Sequence, residues 1–208
     1  MKTYRLEAIA SAILLSTLSA QSMADDSLEK ITILGHGADL IGSAISASEG
    51  FVGEQEISVR PLLRTGELME LVPGMVATQH SGSGKANQYF LRGFNLDHGT
   101  DFATFVDGMP INMRTHGHGQ GYTDINFLIP ELIANMAYKK GPYYAETGDF
   151  SGAGSAFFNT QSQLSQGFAQ LTLGQDQYQR LLLANSQDDV LNGTLLYGIE
   201  KQNYAGPW

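Results

Sequence analysis

Five short glycine-centred turns, each set between short apolar runs, constrain this chain more than any other feature. They are Val72-Pro73-Gly74, Leu91-Arg92-Gly93-Phe94, Val106-Asp107-Gly108-Met109-Pro110, Lys140-Gly141-Pro142 and Gly148-Asp149-Phe150-Ser151-Gly152-Ala153-Gly154. Pro-Gly, Asp-Gly and Gly-Pro steps reverse a chain, because glycine reaches positive φ freely and proline presets the first turn residue. Glycine supplies 24 of the 208 residues, against a usual share of about 7%. That excess predicts many tight turns and close backbone approaches, not long helices. There is no cysteine, and hydrophobic residues make up 42%. A chain of this kind must fold on its own core or inside something larger.

Between the turns, Arg60-Pro61 opens a helix candidate. Glu67 sits near its start, where the helix dipole favours a negative charge. Leu68, Leu71 and Val72 follow at i, i+3 and i+4, and Pro73-Gly74 closes it. A second short helix is predicted after Ile129, with Pro130 in its first turn and Leu132, Ile133 and Met136 on one face. Strand-like runs cover 88–91, 102–106, 136–139 and 155–160. Two short helices among a few strands predict a small α+β domain. Residues 38–56 are small and polar and read as a linker with some strand character.

After Gln161 the texture changes. Ala169, Leu171 and Leu173 alternate with Phe168, Gln170 and Thr172 before a turn at Gly174-Gln175-Asp176. The run 179–185 sets Leu181 and Leu183 opposite Arg180, and Gln187-Asp188-Asp189 reads as a second turn. Leu191, Leu195, Tyr197 and Ile199 then alternate with Asn192, Thr194 and Glu200. Segments of about ten residues, alternating apolar and polar between turns, have the form of transmembrane β-strands. An ordinary antiparallel meander has the same pattern.

The N-terminus reads as an export leader. Lys2 and Arg5 precede an apolar run over 8–18, and Ser22-Met23-Ala24 gives a small-x-small cleavage pattern, so 1–24 is assigned as a signal peptide. The apolar run is shorter than the ~18 residues needed to span a bilayer as a helix. Removing Lys2, Arg5 and Glu7 with the leader takes the formal net charge from -9 to -10. That acidity argues against nucleic acid as a partner.

In their order and spacing, the five turn motifs resemble the plug domain of TonB-dependent outer-membrane receptors, from about Ile31 to about Thr160. The resemblance implies a plug that blocks the lumen of a large β-barrel and takes part in energised uptake of a scarce ligand: a metal ion, a metal chelate or a siderophore. It also implies no bond chemistry and no required cofactor. The organisation becomes a TonB-box segment and linker over 25–56, a plug over 57–162 and the first antiparallel barrel strands over 163–208. Two or three strands cannot close a barrel, since lipid leaves edge groups unpaired, so the chain resembles an N-terminal piece. A truncated remnant, or a soluble periplasmic binding or interaction module, is the alternative. The resemblance further implies that Ile31, Thr32 and Ile33 pair with TonB in the periplasm, by adding an extended strand. At Ala137-Tyr138-Lys139-Lys140 the chain departs from the Glu-Val pair more usual in the family, which leaves the family's plug-to-barrel carboxylate contact unassigned.

The five histidines are His36, His80, His98, His116 and His118. The most unusual stretch is Asn112-Met113-Arg114-Thr115-His116-Gly117-His118-Gly119-Gln120-Gly121-Tyr122. In the plug pattern this segment belongs to the loops that touch ligand, so Asn112, Arg114, His116, His118, Gln120 and Tyr122 are the candidate contacts. Imidazole is the commonest ligand of zinc, copper and nickel. His116 and His118 can share an ion, with His98 as a further donor and zinc as the first expectation for a transported metal. Alternatively, these side chains only hydrogen-bond within tight loops. Arg92 is expected to pair with a carboxylate in the plug or on the barrel. A metallohydrolase is a third reading, but no Gly-x-Ser-x-Gly elbow or His-Glu-x-x-His is present, and Gly82-Ser83-Gly84-Lys85 lacks the Ser/Thr and upstream glycine of a phosphate loop.

Overall fold

The computed structural model describes residues 43–79 and 84–206. The leader, the 31–33 segment, His36, His80 and Gly82-Ser83 lie outside the described residues.

The order of elements is β1 (Ser43–Ser46), β2 (Glu49–Gly53), α1 (Glu54–Val59), a 3-10 segment (Thr65–Leu71), β3 (Met75–Thr78), β4 (Gln88–Leu91), β5 (Phe94–Asn95), β6 (Phe102–Val106) and β7 (Met109–Pro110). A 3-10 turn (Pro130–Leu132), β8 (Ile133–Lys140), a second such turn (Ala145–Thr147), β9 (Gly154–Thr160), β10 (Phe168–Leu173), β11 (Gln179–Val190) and β12 (Gly193–Asn203) follow. A six-stranded sheet runs β1-β2-β8-β9-β6-β7, a small one β3-β4-β5 and a third β10-β11-β12. Every pairing is antiparallel except β6 with β9. The expected α+β plug with a short mixed sheet, followed by antiparallel strands, is what forms.

The turn chemistry sets these edges. Arg92 and Gly93 both take positive φ (52° and 83°) between β4 and β5, and Asp107 and Gly108 do the same (49° and 78°) between β6 and β7. Two successive positive-φ residues make the hairpin turn whose twist matches that of paired strands. The Asp107 carboxylate also accepts from the Thr160 amide (2.9 Å) and hydroxyl (2.7 Å), tying the end of β9 to that hairpin. Gly154 opens β9 at φ 150°, where a Cβ would collide with the Lys139 carbonyl. The core between the sheets and the 65–71 segment includes Leu68, Met69, Tyr89, Leu96, Phe102, Ile125, Met136 and Phe158, all fully buried. Each such side chain contributes about 1.5–3 kcal/mol by leaving water.

Four sequence expectations are corrected. The helix expected from Arg60 to Val72 is instead α1 before it and a 3-10 segment within it. Glu67 holds the start of that segment by accepting from the Leu63 and Arg64 amides and pairing with the Arg64 guanidinium at 2.8 Å. The helix after Pro130 is one 3-10 turn and then strand β8. A register shift between Ile133 and Asn135 in the pairing with β9 switches the buried parity from 133 to 136, 138 and 140. That bulge gives a strand the spacing of a helix face. Residues 43–56, read as linker, form β1, β2 and the start of α1, because β2 pairs along β8. Finally, the turn expected at Gln187-Asp188-Asp189 is a bulge inside the β11–β12 hairpin. The reversal falls at Leu191 and Asn192, with φ 52° and 65°.

Candidate functional site

The loop 112–122 is built on one amide. Asn112 accepts from the Thr104 amide through Oδ1 (2.7 Å) and donates through Nδ2 to the carbonyls of Gly99 (2.9 Å), Phe102 (3.0 Å) and Gly121 (3.1 Å). An isolated bridge between Met113 and Tyr122 closes the loop above it. The Tyr122 ring is buried, and its hydroxyl accepts the Ala86 amide at 2.7 Å.

Three imidazoles gather on that base. His116 stacks on Tyr122 with centroids 3.9 Å apart, and its Nδ1 accepts the His118 amide at 3.1 Å. The His118 ring meets His98 edge-on, with centroids 4.5 Å apart. His98 is buried, and its Nδ1 lies 3.0 Å from the Asn87 carbonyl. A carbonyl only accepts, so Nδ1 carries the proton and the lone pair of the neutral ring is on Nε2. That Nε2 stands 3.6 Å from Asp97 Oδ1. One ligand atom each from Asp97, His98 and His118 lie within 4.8 Å of one another. Desolvation, then the positive charge of Lys85, hold His118 below the ordinary histidine value against the opposing pull of Asp97. Its neutral, metal-binding form is thereby favoured.

The six contacts expected from sequence therefore divide. Tyr122, His116 and His118 come together with His98, whereas the Asn112 side chain is consumed in holding the loop. Arg114 projects outward and approaches the exposed Asp149 carboxylate at 3.7 Å. Gln120 contributes its carbonyl, which accepts the Thr100 hydroxyl at 2.8 Å. His116 lies outside this group of ligand atoms, and its Nδ1 lone pair is already engaged by the His118 amide. Asp97 is in that group. Its signal was adjacency to His98, which names a neighbour but not the direction of its carboxylate. Arg92, held in the β4–β5 turn at positive φ, is exposed and forms no ion pair among the described residues, so no carboxylate of the plug serves as the partner expected for it there.

A second polar centre joins the plug to the last three strands. Arg180 on β11 is buried, its side chain 7% exposed. Its Nη2 donates to Glu131 Oε2 at 2.8 Å and its Nε to Glu200 Oε2 at 2.8 Å, with further bonds to both carboxylates from Nη1 and Nη2. Burial raises the Glu131 pKa, but the Arg180 hydrogen bond leads the opposing effects, and the net value is lowered. The same face of this sheet buries Leu182 and brings Gly198 against Leu132 and Ile129. The opposite face carries Leu171, Leu173, Leu181, Leu183, Leu195, Tyr197 and Ile199, each between 43% and 69% exposed.

A plug-like mixed sheet followed by strands that are polar inward and apolar outward defines one class of protein. Residues 40–155 match the TonB-dependent receptor plug domain, and the chain belongs to that family, which is one of transport receptors and not of enzymes. Among solved structures, it is similar to FpvA of P. aeruginosa bound to heterologous pyoverdines (TM-score 0.58, 20% identity, 76% of this chain and 20% of that one). It is likewise similar to a glycine-to-valine mutant of the ferric enterobactin receptor PfeA from Pseudomonas aeruginosa (TM-score 0.54, 17% identity, 76% and 25%) and to the copper transporter OprC (TM-score 0.51, 18% identity, 73% and 23%). The chain thus spans a quarter or less of the length of these receptors.

Proposed function

We propose that this chain is the plug and first barrel strands of an outer-membrane receptor that imports a scarce metal ion, metal chelate or siderophore. The observation that carries the reading is the two-faced β10–β12 sheet. Its inner face grips Glu131 of the plug through Arg180, while its outer face exposes seven large apolar side chains in register. A contiguous apolar face of that kind suits lipid, with the backbone groups satisfied by neighbouring strands. It weighs against a soluble module, which would hide the face.

In this reading the protein is exported by its leader, residues 31–33 add as a strand to TonB, and cargo is met by the 112–122 loop. No bond is made or broken. The binding energy of the cargo shifts the plug, and the pull of TonB, drawing on the inner-membrane proton gradient, opens the way. The experiment is Ile31→Pro in the receptor with its complete barrel. Proline removes a backbone donor and blocks strand pairing, so uptake is lost while cargo binding to cells persists. Undiminished uptake would overturn the assignment of the TonB contact.

A further inference from the structure

We infer that Asp97, His98 and His118 form a three-ligand centre for a borderline divalent transition-metal ion, with a further coordination position left for water or for a chelator carried by the cargo. The inference rests on the receptor reading only for what the ion is for; the binding itself follows from the geometry.

The donor set selects the ion. Two imidazoles and one carboxylate suit zinc, copper or nickel, whereas calcium and magnesium require oxygen donors throughout. In a tetrahedral zinc site with bonds of about 2.1 Å, ligand atoms stand ~3.4 Å apart. The Asp97–His98 pair is already at 3.6 Å, and the whole group falls within 4.8 Å. The remaining closure falls to the two ligands that can move, since His118 and Asp97 are both on the exposed side of the site. His98 is the fixed one. It is buried, with its Nδ1–H donated to the Asn87 carbonyl, its own carbonyl accepting the Thr123 amide at 2.8 Å, and Nε2 on the Asp97 side. That backbone contact is the outer-shell support that orients metal-binding histidines and fixes their tautomer.

The loops are shaped for this approach. The Asn95 side chain accepts the Asp97 amide at 2.8 Å, and Asp97 itself lies at φ 49° just after β5. Gly119 passes beside Asp97, where a Cβ would stand 3.4 Å from Oδ2. His116 holds the His118 backbone through its Nδ1 and lies flat on Tyr122, so it positions the loop and is not a ligand. Three protein ligands with an open position differ from a closed four-ligand structural zinc site and leave room for a ligand that is not part of the protein.

The test is calorimetric titration of the full chain with zinc, with cobalt(II) absorption as a second readout of coordination. Wild type is expected to bind one zinc per chain. Outer-shell partners alone are worth about 10–100-fold in affinity, so His118→Ala and Asp97→Asn, both at exposed positions, are each expected to weaken binding by roughly 100-fold. His116→Phe, which keeps the ring on Tyr122 but removes the acceptor of the His118 amide, is expected to weaken binding by no more than about 10-fold, the low end for an outer-shell partner and well short of His118→Ala. Circular dichroism verifies the fold of each variant. No saturable binding by wild type would overturn the proposal. So would an unchanged affinity in folded Asp97→Asn, or a loss in His116→Phe equal to that in His118→Ala. Zinc binding with uptake insensitive to Ile31→Pro would fault the receptor reading alone. Energised uptake without zinc binding would fault the centre alone.

Discussion

Arg180→Met removes the cation from between two carboxylates and keeps the length of the side chain. Glu131 Oε2 and Glu200 Oε2 both bond Nη2 of Arg180, so the two negative charges are held on either side of one nitrogen. At a separation of about 5 Å and an effective dielectric near 20, their uncompensated repulsion is about 3 kcal/mol. Relaxation toward solvent is limited, because the two carboxylates are only 29% and 21% exposed. The expected loss of stability is therefore about 3 kcal/mol, at the low end of the ~3–5 kcal/mol seen when one partner of a buried ion pair is removed. The assay is urea unfolding of the chain in a mild detergent, followed by circular dichroism; urea is chosen because it does not screen charges. With an m-value on the order of 2.5 kcal/mol/M, the midpoint falls by about 1.2 M. The triple variant Arg180→Met/Glu131→Gln/Glu200→Gln carries neither cation nor anions and is expected to recover to within about 1 kcal/mol of wild type, as apolar or neutral replacements of buried ion pairs do. A midpoint shift below about 0.4 M in the single variant, or a triple variant no better than the single, would refute this account of what joins the plug to the strands.

The lowered pKa of Glu131 makes a pH prediction: its stabilising contribution is complete above the ordinary carboxylate value of 4.5 and is lost as pH falls below it toward the lowered folded value. In Glu131→Gln that acid-sensitive component disappears, measurable as a flatter dependence of the urea midpoint on pH below 4.5. Asn112→Ala breaks four hydrogen bonds and takes the side-chain acceptor from the Thr104 amide, so about 3 kcal/mol is lost, with faster hydrogen exchange at the Thr104 and Gly121 amides as the local readout. Gly154→Ala drives a Cβ into the Lys139 carbonyl and lowers stability by at least about 2 kcal/mol; an unchanged melting temperature would show that the β8–β9 start can yield.

Much of the fold was legible where local chemistry and tertiary structure agree. β4 and β6 form over the residues that their β-prone runs marked, and the Asp107-Gly108 turn has the positive φ that its sequence demands. The errors fall where irregular backbone imitates a different period. The bulge near Ile133 moves the buried set from odd to even residues, and Ile133 and Met136 then sit at helical spacing on a strand. At the β11–β12 hairpin, leucine occupies a positive-φ turn position that it seldom takes, so the neighbouring aspartates looked like the turn. The candidate site was half visible. Histidine content marked the 112–122 loop, but which imidazole faces Asp97 depends on a stack with Tyr122 and on a carbonyl from Asn87, and neither leaves a trace in residue spacing.

The single-amide base of the 112–122 loop has a consequence for how such a receptor changes over time. Asn112 fixes both ends of the segment, while Arg114, Thr115 and Gly117 at its rim are exposed and Gly117 has open space where a side chain would grow. Residues can be exchanged or inserted there without altering the bonds below. The base thus works as a socket and the rim as an interchangeable head, so that substitutions and insertions fall on a few solvent-facing positions while the folding problem stays solved.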